Sequence, residues 1–106
     1  MASLEEFQKF ELVTATIKEI NDHPNADKLY ILKLDLDNEE RQIVAGIKNS
    51  YSKEELINKQ IVIIKNLEPV VIRGIQSNGM LLAVGDKGKI SLIIPEKKVN
   101  NNLQVR

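Results

Sequence analysis

Apolar residues along the chain recur mostly at the spacing of a strand. Tyr30, Leu32, Leu34 and Leu36 alternate with Ile31, Lys33, Asp35 and Asp37, the period-two pattern that turns one face to a core and the other to water. Residues 13–20 are rich in Val, Thr and Ile, whose branched Cβ atoms favour extended backbone, and they predict a strand ahead of that one. The intervening residues 21–27 form a turn, and the short connection over residues 37–40 predicts a hairpin into a third strand at 41–47. Ile61-Val62-Ile63-Ile64 shows no alternation, as expected of a strand buried on both faces or crossing a barrel. Residues 79–84 predict a fifth strand, and 90–94 a sixth that Pro95 stops, with a turn at 85–88 between them. Residues 97–106 predict an extended tail.

Two helix starts interrupt this series. Ser3 with Glu6, and Ser52 with Glu55, have the spacing of a capping box, in which serine and glutamate side chains each bond the other's backbone N–H. A small helix between the third and fourth of five or six short strands predicts an all-β fold, a five-stranded Greek-key OB-fold barrel with a flanking N-terminal helix and C-terminal strands. SH3-like barrels are the rival architecture. With 106 residues and no internal repeat or linker, the chain reads as one domain over 1–106.

Composition narrows the chemistry. There is no cysteine, which removes disulfides, thiolate metal sites and thiol nucleophiles together. The one histidine, His23, precedes a proline and lacks a serine at a nucleophile elbow, so it reads as a turn residue, and no catalysis is expected. Asp35, Asp37, Glu39 and Glu40 lack the glycine-containing spacing of a calcium loop and read as a solvated hairpin, so no metal is expected. Gly74 and Gly79 are isolated glycines rather than a phosphate-cradling loop, and no cofactor is implied. No apolar run resembles a signal peptide or a membrane span, so no membrane partner and a cytoplasmic location are expected.

The remaining polar information lies in the turns. His23-Pro24-Asn25-Ala26-Asp27-Lys28 joins the first two strands, and residues 66–78 join the fourth and fifth. In an OB-fold these loops flank the face of strands two and three on which oligonucleotides lie. Lys28, Lys33, Arg41, Lys48, Lys65 and Arg73 then line one side and supply phosphate contacts, although 15 basic and 15 acidic side chains give zero net charge. Phe7 and Phe10 read as packing residues and Tyr30 as an inward one, which leaves a thin stacking platform. Structured RNA, held by shape and backbone, suits that better than generic single strands.

These residues resemble the tRNA-binding domain found as a free-standing dimeric protein, at the end of methionyl-tRNA synthetases and in synthetase-associated cytokine precursors. The matching blocks are His23 through Tyr30, Arg41 through Ile47, Asn66-Leu67-Glu68-Pro69, Arg73-Gly74 and Ser77 through Leu82. The resemblance implies an OB-fold that binds tRNA without strong sequence preference and catalyses nothing. It places Asn25, Lys28, Asn66, Arg73, Ser77 and Met80 at signature positions, with Lys33 and Lys48 as further phosphate contacts. Turn-stabilising hydrogen bonds are the alternative for Asn25, Asn66 and Ser77, and core packing is the expectation for Met80. The chain departs from the family at Val70-Val71, where a lysine is common, and at Asn100-Asn101-Asn102, where a glycine is usual. The resemblance also implies a homodimer, with Leu4, Phe7, Ile90, Leu92, Ile94, Leu103 and Val105 as interface candidates, and a methionyl-tRNA synthetase catalytic subunit as partner. A protein-docking, assembly or chaperone-like subunit is the competing function.

Overall fold

The computed structural model describes residues 1–106. Its organiser is the long strand β1 (Leu12–Asp22), which pairs antiparallel with β4 (Gln60–Ile64) through its first half and with β2 (Tyr30–Asp35) through its second. The register slips between Ile17 and Glu19, where β1 changes partner. A bulge of this kind bends and twists its strand, and here it lets one strand belong to both sides of a barrel. With β3 (Glu40–Ala45) beside β2, and β7 (Met80–Leu81) beside β4, the sheet runs β3-β2-β1-β4-β7.

Closure comes where β3 meets β6 (Ile75–Ser77). The Asn78 N–H donates to the Gln42 carbonyl at 2.9 Å, and the Val44 N–H donates to Ser77 Oγ at 2.9 Å. A serine hydroxyl thus completes the ladder. The short helix α2 (Lys53–Leu56) lies between β3 and β4, as expected, and buries Leu56 in the core while Ser52 and Glu55 form the capping box. Helix α1 (Leu4–Phe7) has its own box at Ser3 and Glu6. The result is the OB-type barrel.

The core follows the alternation read from the sequence. Tyr30, Leu32, Leu34 and Leu36 point inward, joined by Ile61 and Ile63 of the unalternating strand. Each such leucine or isoleucine contributes about 1.5–3 kcal/mol on burial. The Tyr30 hydroxyl donates to the Tyr51 carbonyl at 2.9 Å, so its polar end is paired within the core.

Three local expectations change. The strand expected over 79–84 breaks at Leu82, whose N–H bonds Val62 O while its carbonyl accepts from Ile93 N–H. The chain leaves the barrel there and enters a separate hairpin, β8 (Ala83–Asp86) with β9 (Lys89–Leu92). The tail is extended but docked: Asn102 N–H donates to Thr14 O and Val105 N–H to Leu12 O, each at 2.7 Å. It takes the side of β1 that β2 leaves bare. Finally, Phe7 and Phe10 are 36% and 47% exposed and Met80 is 48% exposed, so none of them joins the core. α1 buries no residue, and on β7 it is Leu81, not Met80, that packs against the core.

Ser77→Ala should be costly despite its small size. It strands the buried Val44 N–H without an acceptor, and a loss of about 1–3 kcal/mol is expected in urea unfolding. Stability within a few tenths of wild type would show that the barrel closes without this hydroxyl.

Candidate nucleic-acid interface

The segment 66–78, expected as a loop, contains a further hairpin. β5 (Val70–Ile72) pairs with β6 through a two-residue turn, with Arg73 at φ 52° and Gly74 at φ 90°. Positive φ at both central positions is the type I′ turn that matches strand twist, and it normally selects Asn-Gly or Asp-Gly. Arg-Gly at the tip hid the hairpin in the sequence. An arginine in this conformation is strained by about 1–2 kcal/mol, and such strain persists where the surroundings impose it.

The surroundings here are the first loop. His23 is 5% exposed, and its Nε2–H donates to the Ile72 carbonyl at 2.9 Å. Its Nδ1 accepts the Asn25 N–H at 3.0 Å, which fixes the tautomer, since that nitrogen must be bare to accept. The Asn25 side chain reaches the same hairpin, donating from Nδ2 to the Arg73 carbonyl at 3.1 Å. The turn reading of His23 was therefore incomplete. The ring joins the two loops, and a His-Pro pair opening a polar turn is the only trace of this in the sequence.

Lys28 and Arg73 line one depression of about 470 Å³, walled by Ala26, Asp27 and Leu29. Both side chains are exposed, and neither has a carboxylate partner. Lys33, on the outward face of β2 opposite Gln42, is likewise without an ion pair. The remaining candidate cations, Arg41, Lys48 and Lys65, are engaged in ion pairs. Glu39 bridges Arg41 at 3.1 Å and Lys65 at 3.2 Å, and Arg41 also donates to the carbonyls of Lys65 and Asn78. Asp22 holds Lys48 at 3.2 Å and Lys53 at 3.3 Å, away from the two-loop depression.

The uncharged candidates separate in the same way. Asn66 ties the exit of β4 to the chain before β1, accepting from Glu11 N–H at 2.8 Å and donating to Lys9 O at 2.7 Å. Ser77 is 2% exposed and occupied by Val44 and Gly79. Met80 is exposed on β7. The geometry therefore brings Asn25, Lys28 and Arg73 together and leaves Lys33 at a neighbouring cleft.

A curled five-stranded barrel with a helix between β3 and β4 and two braced polar loops belongs to the OB-fold class. The chain is a member of the tRNA_bind family, described as "Putative tRNA binding domain", whose model matches residues 12–103. Methionine–tRNA ligase of Thermococcus onnurineus is 51% identical over 102 residues, covering 96% of this chain and 14% of that protein. The Pyrococcus furiosus enzyme of the same name is also 51% identical, over 98% of this chain and 14% of that protein. The chain thus spans a small part of the curated relatives it matches. Among solved structures, a MetRS related protein from Pyrococcus horikoshii superposes with a TM-score of 0.92 at 33% identity, covering 100% of this chain and 98% of that one. The chaperone CsaA from Bacillus anthracis gives 0.90 at 27% identity, covering 100% and 99%. The family's description names what the domain binds.

Lys65, hydrogen-bonded to Glu39, holds that carboxyl below its ordinary 4.5, with Arg41 adding to the effect against partial desolvation. The folded protein therefore takes up this proton less readily than the unfolded chain. The associated stability is present above the ordinary value and is lost as pH falls through the lower folded value. Glu39→Gln should be less stable than wild type at neutral pH, and the difference should vanish in acid, as read from unfolding midpoints across pH 2–7, roughly the range over which carboxylates titrate. A pH-independent difference would contradict this.

Proposed function

We propose that this domain binds folded tRNA by shape and phosphate contacts without strong sequence preference, as a homodimer working beside a methionyl-tRNA synthetase catalytic subunit in the cytoplasm. The carrying observation is the unneutralised pair Lys28 and Arg73, fixed across two loops by His23 and Asn25. Phosphate oxygens are what such cations and amides recognise, and a rigid arrangement of them suits a rigid backbone. Lys33 extends the cationic track along β2. Asn25 serves by shaping the hairpin tip, and Asn66 and Ser77 by holding the ends of the segment that carries it. Lys48, paired with Asp22, and Met80, exposed on β7, stand outside this group. The likeness to methionine–tRNA ligases and to a MetRS related protein supports the choice of RNA and of partner.

The dimer reading rests on the apolar residues that the monomer leaves in water. Leu4 is 70% and Leu103 46% exposed, and Leu4, Phe7 and Val105 line a shallow apolar pocket of about 160 Å³. A second copy placed across a two-fold covers these groups and presents two RNA faces on one body. The same exposed surface, with the likeness to the chaperone CsaA, supports a second reading as a chaperone-like or docking subunit.

Competition between folded tRNA and a single strand of equal length separates the readings: preference for folded tRNA with a steep salt dependence is expected. Binding to neither would favour the docking subunit. Lys28→Ala and Arg73→Asn should each weaken all tRNAs alike and reduce the slope of log K against log salt by about 0.9, one phosphate contact. Asparagine tolerates the left-handed turn, so Arg73→Asn should lose RNA affinity without losing stability. A parallel fall in melting temperature and affinity would contradict this.

A further inference from the structure

At the base of the β5–β6 hairpin, beside the β2–β3 face, lies a second cleft of about 410 Å³. That is within the range of about 300–1,000 Å³ typical of small-ligand sites. Its polar wall carries Lys33, Glu40, Gln42 and Asn78, and Leu67 and Pro69 supply an aliphatic side. Arg41 and Glu39 of the lining neutralise each other at 3.1 Å. What remains is one cation and one anion, Lys33 and Glu40, neither in an ion pair. In this cleft the one free cation is matched by one free anion, Glu40, whereas at the hairpin tip Lys28 and Arg73 outnumber Asp27, so a neutral ligand bearing both donors and acceptors suits this cleft better than a phosphate.

The amides sharpen the choice. Gln42 Nε2 donates to the Gln76 carbonyl at 2.9 Å, and Asn78 Oδ1 accepts from Gln76 Nε2 at 3.1 Å. Gln76 therefore holds both amides by one half and leaves the other half available: an acceptor at Gln42 Oε1 and a donor at Asn78 Nδ2. An acceptor and a donor in one cleft, over an aliphatic wall, match the edge and face of a nucleobase. In a duplex that edge is already paired, so only an unstacked, unpaired base enters.

We propose that this cleft receives one unpaired nucleobase of an RNA whose backbone is held at the hairpin tip by Lys28 and Arg73. The inference rests on the RNA-binding reading above. Pro69 and Arg73 mark the two ends of β5, about 13 Å apart at roughly 3.3 Å per residue, so both contacts fall along one strand of RNA. The cleft reads whether a base is unpaired, and only weakly which base it is, because every base edge offers a donor and an acceptor.

The test uses the full chain and two labelled RNA hairpins, identical but for a single unpaired adenosine in one stem, compared by fluorescence anisotropy. The bulged RNA should bind about fivefold more tightly, the low end of the effect of one stacked base, since the wall here is aliphatic rather than aromatic. Asn78→Leu and Gln42→Met, both neutral and of similar size, should each abolish that preference while leaving affinity for the fully paired hairpin unchanged. Lys28→Ala should weaken both RNAs equally. Equal, measurable binding of the two hairpins by the unmodified protein overturns the base cleft and leaves the backbone site standing. Binding of neither overturns both, and a bulge preference that persists in both variants overturns the assignment to this cleft.

Discussion

The bond between His23 and the Ile72 carbonyl is the constraint on which the functional face depends. It has the ordinary length of 2.9 Å, and because the ring is buried the histidine has no ready access to water in compensation. Without it the β5–β6 hairpin is held to the barrel only at its β6 root, through the bonds of Gln76, Ser77 and Asn78 to β3, and its tip is a two-stranded ribbon of a kind that is marginal in water on its own. With it, the hairpin tip is drawn against the first loop, Asn25 closes on the Arg73 carbonyl, and an arginine is kept in a backbone conformation it disfavours. The barrel supplies the platform, but the histidine sets where its cations stand.

Electrostatics follow from the same division of labour. A zero net charge is compatible with a phosphate site because the carboxylates are not spread evenly over the cations. Glu39 and Asp22 each hold two cations, Arg41 with Lys65 and Lys48 with Lys53, and those four brace the barrel. Among the cations of the barrel face and its two loops, Lys28, Lys33 and Arg73 are left without an ion pair. Bulk charge predicts long-range attraction, whereas recognition at contact depends on which individual charges remain unpaired. The exposed valines at 70 and 71, where the family commonly has lysine, lower the field around the hairpin without removing these three.

Much of the scaffold was legible because it rests on periodicity and local caps. The alternation of Tyr30 to Leu36, the unbroken run at 61–64 and the two serine-glutamate boxes each specify an element through its own residues. The β5–β6 hairpin was not legible, since Arg73-Gly74 takes a turn that its sequence does not advertise and depends on His23, about fifty residues earlier in the chain. Nor was the fate of the cations: Arg41 and Lys65 look no different in sequence from Lys28 and Arg73, and only the fold decides which of them meets a carboxylate. Ser77 was singled out as a contact, with a hydrogen-bonding role as the alternative, and the structure places it inside the barrel seam. Gln42 and Asn78 lie in the matching blocks without a role of their own there, because an amide reveals its role only when one half of it is seen to be occupied.

Under the proposed function, a buried histidine positions the loops that meet phosphate without itself contacting RNA. This is tested most directly by the salt dependence of folded-tRNA binding in His23→Ala, with His23→Gln, which retains a donor and an acceptor, measured alongside. Weaker binding at every salt concentration with an unchanged slope, and partial recovery in the glutamine variant, is the expected result, since the cations remain but are no longer held in place. A slope reduced as by loss of a cation, or affinity equal to that of the unmodified protein, would contradict it.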